Sequence, residues 1–302
     1  MVSAVKETKR DKIFLGINYL IVTFALVIVL YPLIYVVSAS ISSPQYVASG
    51  EMWLLPKGIT WEGYQRVFEN SQIWRGYANT IVYTVVGTCI SLIITIPAAY
   101  ALSRKDFVGR NFFTGMFMVT MFFGGGMVPT YLLVKGLGMI DTIWAIVLPS
   151  AASIYNIIVS RTFFQTTIPK ELQEAAQVDG CTNLRLFIRI ILPLSAPIIA
   201  VMALFYGVGQ WNSYFPAMIY LNDSGKYPLQ LVLRQILVLQ EMSAQGSNMM
   251  DANTATALNN KAEIAALVKY AVIIVAILPV IAVYPFLQRY FVQGVLIGSI
   301  KG

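Results

Sequence analysis

Six long apolar stretches dominate the sequence and restrict what the chain can fold into. Each is long enough for a helix that crosses a bilayer, which takes about 20 apolar residues. The stretches cover roughly residues 13–41, 77–102, 111–134, 142–164, 194–221 and 266–288. Only 12% of the residues are charged, against about 25% in a typical soluble domain. The pattern predicts an all-α membrane protein with six transmembrane helices, folded as a single transmembrane domain over residues 1–302.

Lysine and arginine are distributed unequally between the segments that join these stretches. If the N-terminus is cytoplasmic, the inner segments carry thirteen of these residues and the outer segments seven. Because cytoplasmic loops are enriched in positive charge, both termini are expected in the cytoplasm. The loops at 42–76 and 222–265 are then extracytoplasmic, and the segment 169–193 is cytoplasmic. The same bias accounts for the net charge of +7 without a nucleic-acid partner.

Acidic and catalytic side chains are scarce in the predicted spans. The six stretches contain no Asp or Glu, and the chain has no His. Ion-coupled transporters usually bury carboxylates, and a membrane enzyme needs a nucleophile with an adjacent base. Asp141 lies just before the fourth stretch, where we expect it to cap a helix. The composition therefore disfavours both an ion-coupled transporter and a membrane enzyme.

The sequence also contains no phosphate-binding loop of the form G-x-x-x-x-G-K-[ST], the usual cradle for ATP. The segment FGGGM at 123–127 is rich in glycine, but it lies inside the third apolar stretch. There it predicts a break in the helix. Energy for uphill transport would have to come from a partner, and we expect no cofactor in this chain.

A short polar stretch, EAAQVDGCTNLRLFIRIILP at 174–193, interrupts the apolar sequence. Pro169 suits a first helical turn and Gly180 a left-handed helix stop. These signals predict a helix of about eleven residues, which is too short to cross a bilayer. Two alanines give one side of it a low profile that would fit a groove of another protein. That side consists of four residues at helical spacing: Leu172, Ala175, Ala176 and Asp179.

A second helix is predicted directly after Gly180. Thr182 or Asn183 can cap it, and Arg185 and Arg189 lie four residues apart on one side, facing headgroups or an acidic partner. Its apolar side would consist of Leu184, Phe187, Ile188 and Ile191. The two helices could act as a lever that continues into the fifth span. The alternative is an ordinary amphipathic loop helix that lies on the membrane surface.

The polar stretch fits the pattern E-A-A-x3-G-x9-I-x-L-P in full. The matching residues are Glu174, Ala175, Ala176, Gly180, Ile190, Leu192 and Pro193. This resembles the cytoplasmic signature of permease subunits in ATP-binding-cassette (ABC) importers, and it implies the type I importer permease fold. The resemblance also implies that the short helix is a coupling helix, which docks in a cleft of an ATPase subunit. The coupling residues would be Glu174, Ala175, Ala176, Asp179, Gly180 and Arg185.

The resemblance extends over nearly the whole chain. The segments at 123–149, 161–180 and 211–221 look like the carbohydrate-importing branch, of the LplC/YtcP and maltose second-permease type. The C-terminal GVLIGSIKG is similar to the tail that reaches into the ATPase dimer in the maltose-type subunit. This similarity implies a coupling role for three residues of the tail: Gly298, Lys301 and Gly302.

The resemblance also implies the partners and the location. It implies a second homologous permease that forms a heterodimer with this chain, and two ABC ATPase subunits that bind ATP and Mg²⁺. It further implies an extracytoplasmic sugar-binding protein, whose cleft the loop at 222–265 could probe. The cargo would be a carbohydrate, namely an oligosaccharide, and the location the cell membrane of a prokaryote. A peptide or polyamine cargo for the same importer class is the alternative.

A sugar path needs aromatic faces for stacking and polar groups for hydrogen bonds. The fifth apolar stretch offers five such candidates: Tyr206, Gln210, Trp211, Asn212 and Tyr214. The alternative is that the aromatic residues belong to the membrane-interface belt and that the amides bond to another helix.

Overall fold

The computed structural model describes residues 8–246, 268–283 and 285. The chain divides into two compact units, one of residues 1–70 and 233–276 and the other of residues 71–232 and 277–302. The expected coupling residues Gly298, Lys301 and Gly302 lie outside the described residues, as does the part of the outer loop at 247–265.

The first unit begins with α1 (Lys9–Ser40), followed by α2 (Pro44–Ala48) and α3 (Glu62–Glu69). Thr8 and Asp11 close a reciprocal capping box at the start of α1, in which the Thr8 N–H donates to Asp11 Oδ2 over 2.8 Å. The apolar side chains of α1 are exposed along almost its whole length. A helix that is apolar all round needs lipid or another chain around it.

The second unit contains most of the helices. They are α4 (Ser71–Ser103), α5 (Arg110–Phe122), α6 (Met127–Gly136), α7 (Ile143–Val147), α8 (Ile154–Thr167), α9 (Lys170–Val178), α10 (Asn183–Leu186), a π-helical turn (Phe187–Ile191), α11 (Leu192–Leu194), α12 (Ala196–Trp211), α13 (Phe215–Tyr220) and a 3₁₀ turn (Ser224–Lys226). Two further helices, α14 (Leu229–Gly246) and α15 (Val268–Val283), contribute residues to both units.

Two described helices, α1 and α4, are by themselves long and apolar enough to cross a membrane. The number rises to four if each of two bent pairs counts as one span. These pairs are α5 with α6, bent by 112°, and 183–194 with α12, bent by 77°. The fourth predicted stretch is divided between α7 and α8, and α15 covers most of the sixth. Six spans with cytoplasmic termini remain a prediction.

The break predicted at FGGGM is present. The backbone leaves the helix between Phe122 and Met127, and Gly126 adopts a φ of +85°. Such a φ lies in the region that glycine enters without a steric cost. The glycines therefore explain why α5 and α6 form a sharp bend instead of one straight helix.

The core of the second unit lies where α4 packs against α8 and α12. One contiguous apolar cluster joins these helices to the segment around α9 and α10. Its buried members are Ile96, Ala99, Tyr100, Leu102, Ile157, Phe164, Ile168, Ala176, Leu186, Ile191, Ile198, Met202 and Tyr206. Because packed interiors are hard to compress and transmit strain, a displacement of α9 would also displace side chains of α4 and α12.

Candidate functional site

The polar segment after α8 forms the short helix that its sequence predicts. α9 has Glu171 in its first turn, where a carboxylate complements the helix dipole. Gly180 has a φ of +68°, and the N–H of Cys181 donates to the Ala176 carbonyl over 2.9 Å. This six-residue backbone bond with a left-handed glycine is the Schellman helix stop. The predicted stop at Gly180 is confirmed.

The predicted docking side of α9 is divided between the protein's own core and solvent. Leu172 and Ala176 face the core, and Ala176 is only 6% exposed. A partner protein therefore cannot reach Ala176, which corrects the expectation that this side is open as a whole. The side chains that stay exposed share a different stripe at i, i+3, i+4 and i+7 spacing: Glu171, Glu174, Ala175 and Val178. Asp179 is also exposed, just after the helix.

The second helix starts as predicted, with the Thr182 hydroxyl accepting the N–H of Arg185 over 3.4 Å. Its apolar side differs from the prediction. Leu186 and Ile191, five residues apart, are fully buried, whereas Leu184 and Ile188 are exposed. The cause is the π-helical turn, whose i to i+5 hydrogen bonds add a residue to the turn. Arg185 is exposed.

The candidate cargo residues on α12 are mostly engaged within the chain. The Tyr206 hydroxyl lies 2.6 Å from Thr95 Oγ1 and accepts the N–H of Ser153 over 3.3 Å. Gln210 is buried, and its Nε2 donates to Ser150 Oγ over 3.0 Å. These side chains therefore join α12 to α4 and to the loop before α8.

The other three cargo candidates lie at the end of α12. Trp211 is buried, with its ring edge-on to Tyr77 at 5.7 Å. Asn212 and Tyr214 are exposed, although Asn212 Nδ2 donates to the Val208 carbonyl over 2.9 Å. Of the five candidates, these two have their side chains most accessible to a ligand.

A row of hydroxyls on α4 was missed by the sequence analysis. Thr84, Thr88 and Ser91 bury their oxygens, and none of them finds a hydrogen-bond partner among the described residues. Together with Thr80 and Thr95 they recur every three or four residues, which places them on one face of the helix. This spacing is visible in the sequence and could have revealed the polar face. Buried hydroxyls of this kind usually bond water or a further group.

No three His, Cys, Asp or Glu side chains come together as metal ligands in the part of the chain that the structure describes.

The model of one protein family, described as binding-protein-dependent transport system inner membrane component, matches residues 71–297. The chain belongs to this family.

Individual relatives agree with this membership. The permease is 41% identical over 296 residues to protein LplC of Bacillus subtilis (strain 168), covering 98% of this chain and 97% of LplC. It is also 41% identical to the polygalacturonan/rhamnogalacturonan transport system permease protein YtcP of the same strain, covering 92% and 94%. A solved bacterial ABC transporter involved in import of the acidic polysaccharide alginate superposes with a TM-score of 0.82. That match has 36% identity and covers 95% of the permease and 100% of the solved chain. The predicted family is therefore confirmed.

Asp141 of the permease does not cap a helix, which corrects the sequence-based expectation. Thr142 is the N-cap residue of α7, and its side chain makes no capping bond. The Asp141 carboxylate instead accepts the N–H groups of Asn222 and Asp223, each over 3.1 Å. It also binds Lys226 Nζ at 2.6 Å. The carboxylate thus connects the turn before α7 to the loop after α13.

Proposed function

We propose that this permease is the membrane-spanning subunit of an ATP-driven importer for oligosaccharides. The similarity that supports this most is the match to the alginate importer, which covers 95% of the chain. The relative YtcP is named as a permease of a polygalacturonan/rhamnogalacturonan transport system. Polygalacturonan, like alginate, is a polymer of sugar acids. An oligosaccharide with carboxylate groups is therefore the cargo we favour. A peptide or polyamine cargo has no comparable support.

The partners of the importer are part of the same proposal. A second homologous permease would complete the translocation path, and two ATPase subunits would bind ATP and Mg²⁺. An extracytoplasmic binding protein would deliver the sugar. The assembly would lie in the cell membrane of a prokaryote with both termini of this chain in the cytoplasm. The tail residues Gly298, Lys301 and Gly302 would contact the ATPase dimer.

Coupling would start at the exposed stripe of α9. Glu174 and Ala175 lie on this stripe and would contact the ATPase, and Asp179 and Arg185 flank it. Ala176 is buried and would connect the stripe to the core instead of touching the partner. Because the apolar cluster runs without interruption from Ala176 to Tyr206, closure of the ATPase would move α4 and α12. The spans would then alternate between inward-open and outward-open states.

Cargo contact would involve Asn212 and Tyr214 first, because their side chains are exposed at the end of α12. Tyr206, Gln210 and Trp211 lie on the same helix, but the chain itself engages them. They would reach cargo only in a state that separates α12 from α4. Asn212 would supply hydrogen bonds and Tyr214 a stacking face for a sugar ring.

The proposal can be tested with the complete importer in proteoliposomes that contain ATP. Uptake of labelled trigalacturonate should require ATP and the binding protein, and it should survive an ionophore. Glu174→Lys and Gly180→Val should keep ATP hydrolysis but lower the sugar moved per ATP. Gly180→Asn is the matched control, because asparagine tolerates a left-handed backbone better than valine does. Uptake that collapses with the ionophore but not without ATP would contradict the proposal, and so would unchanged uptake in Glu174→Lys and Gly180→Val.

A further inference from the structure

A basic cavity of about 660 Å³ lies beside α9 in the second unit. It is formed by the end of α4, the loop at 104–109, the start of α5, the last turns of α8, and α9. Four cationic and two acidic side chains line it, which gives its walls a net charge of +2. The charged residues are Arg104, Lys105, Asp106, Arg110, Arg161 and Glu174.

One of the cations is neutralised inside the chain. Arg104 is buried, and its guanidinium forms a two-point ion pair with Asp106 in which Nε lies 2.8 Å from Oδ1. A third bond joins Arg104 Nη1 to the Tyr100 hydroxyl at 3.1 Å. The Arg104 and Asp106 charges neutralise each other, and the bond to Tyr100 holds the loop at 104–109 against α4. The excess positive charge of the cavity therefore comes from the other cations.

Arg161 and Arg110 carry that excess. Both are half-buried, and none of the carboxylates whose side chains the structure describes forms an ion pair with either. Arg161 donates its Nε–H to the Leu102 carbonyl over 3.2 Å, which leaves its terminal nitrogens for another acceptor. A guanidinium that is withdrawn from water needs hydrogen-bond acceptors, and an anion can supply them. The planar fork of arginine matches the oxygens of a phosphate group.

The cavity is expected at the depth where lipid headgroups are found. The long apolar helix α4 ends at Ser103 and the apolar helix α5 begins at Arg110, so the loop between them is predicted to lie at the membrane–water boundary. The same loop and the next turn expose large apolar side chains, among them Phe107, Phe112 and Val108, which is 90% exposed. Apolar groups next to cations are the pattern of a surface that contacts both acyl chains and headgroups.

We infer that this cavity binds the phosphate group of an anionic lipid. Arg110 and Arg161 would contact the phosphate oxygens, and Lys105 would add to the positive potential. Basic pockets between helices on the cytoplasmic side are suited to acidic headgroups. Because Gln173 and Glu174 of α9 line the same cavity, a bound headgroup would touch the proposed coupling helix. The lipid would then influence how firmly α9 is positioned.

The inference can be tested on the detergent-purified importer without measuring transport. Phosphatidylglycerol is titrated into the sample, and the thermal midpoint of the complex is followed. Phosphatidylglycerol should raise the midpoint, whereas phosphatidylcholine should not. Arg110→Gln and Arg161→Gln should each weaken the apparent lipid affinity by about fivefold. Two variants are needed because Arg161 also bonds to Leu102, so its loss alone could disturb packing.

Arg66→Gln is the matched control, since Arg66 is an exposed arginine of α3 outside the cavity. It should respond to phosphatidylglycerol like the parent. An equal loss in all three variants, or no loss in any, would overturn the inference. Inorganic phosphate forms a third arm of the titration. Suppose that inorganic phosphate raised the thermal midpoint, that phosphatidylglycerol did not, and that both cavity variants abolished the effect of phosphate. The ligand would then be a free anion, and the lipid assignment would be wrong. Loss of the ATPase subunits from the two cavity variants, with an unchanged lipid response, would assign the cavity to that protein.

Discussion

Lys226 binds Asp141 at two points, because its Nζ lies 2.6 Å from Oδ2 of the carboxylate and donates to the backbone carbonyl over 2.8 Å. The contact connects the turn before α7 with the 3₁₀ turn after α13. The Lys226 carbonyl in turn accepts the Tyr83 hydroxyl over 2.8 Å, so α4 is attached to the same loop. Asp141 has a φ of +60°, a backbone conformation that glycine, asparagine and aspartate adopt more readily than other residues.

Replacement of Asp141 should separate the backbone contribution from the charge. Asp141→Asn keeps an oxygen for the N–H groups of Asn222 and Asp223, and asparagine tolerates a positive φ. It should lose only the ion pair, which contributes little to stability because both side chains are partly exposed to solvent. Asp141→Ala also loses both N–H bonds and adds about 1–2 kcal/mol of backbone strain. The thermal midpoint of the purified permease should therefore fall clearly further for Asp141→Ala. Equal thermal midpoints for Asp141→Asn and Asp141→Ala would contradict a role for the two N–H bonds and the positive φ.

The same contact should make stability depend on pH. The hydrogen bond from Lys226, helped by the N–H groups of Asp223 and Asn222, lowers the pKa of the Asp141 carboxyl below its ordinary value of 3.8. A carboxyl with a lowered pKa in the folded state stabilises the fold above its ordinary pKa and loses this effect as the pH falls through the folded value. The difference in thermal midpoint between the parent and Asp141→Asn should be constant near neutral pH and shrink below 3.8. The difference isolates Asp141, since Asp106 titrates in both proteins. A difference that grows in acid would contradict the assignment.

Features set by neighbouring residues could be predicted from the sequence. The stop at Gly180, the cap at Thr182 and the break at FGGGM depend on the backbone preferences of a few adjacent residues, and all three are present. The family could be recognised because its signature is a continuous stretch from Glu174 to Pro193.

Features set by distant residues could not be predicted. The residues around Asp141 predict a helix cap, but its carboxylate instead accepts a hydrogen bond from Lys226, 85 residues further along the chain. The apolar side of the second helix was misplaced because a π-helical turn shifts the register, and no residue between Leu186 and Ile191 signals that turn. The burial of Ala176 depends on the core that surrounds α9, which periodicity alone cannot supply.

Gly87 permits the close approach of α4 and α12. A Cβ added at Gly87 would lie 2.9 Å from Cδ and Nε2 of Gln210, so Gly87→Ala should push Gln210 away from Ser150. We expect a loss of about 1–3 kcal/mol, because the buried Gln210 amide would be left without its hydrogen bond to Ser150. The double variant Gly87→Ala/Gln210→Ala removes the side chain that the new Cβ would meet, so it should recover part of this loss. The stability changes of the two single variants should therefore not add up in a double-mutant cycle. Gly209→Ala is the control, because nothing lies within 4 Å of its added Cβ. Additive losses of thermal midpoint would refute the contact.

Val178 should be the residue of α9 that most directly reports on the ATPase partner. Its side chain is 88% exposed on the stripe shared with Glu174, so a protein that docks on this stripe would bury it. Val178→Asp should leave the thermal midpoint of the isolated permease unchanged but weaken binding of the ATPase subunits by about tenfold or more. Val178→Leu keeps an apolar contact and should bind like the parent. Ala176→Leu should instead lower the midpoint, since it overpacks a buried position. The measurements are thermal unfolding of the permease alone and titration of the purified ATPase against it. Parental ATPase binding by Val178→Asp would show that the exposed stripe of α9 is not the contact surface.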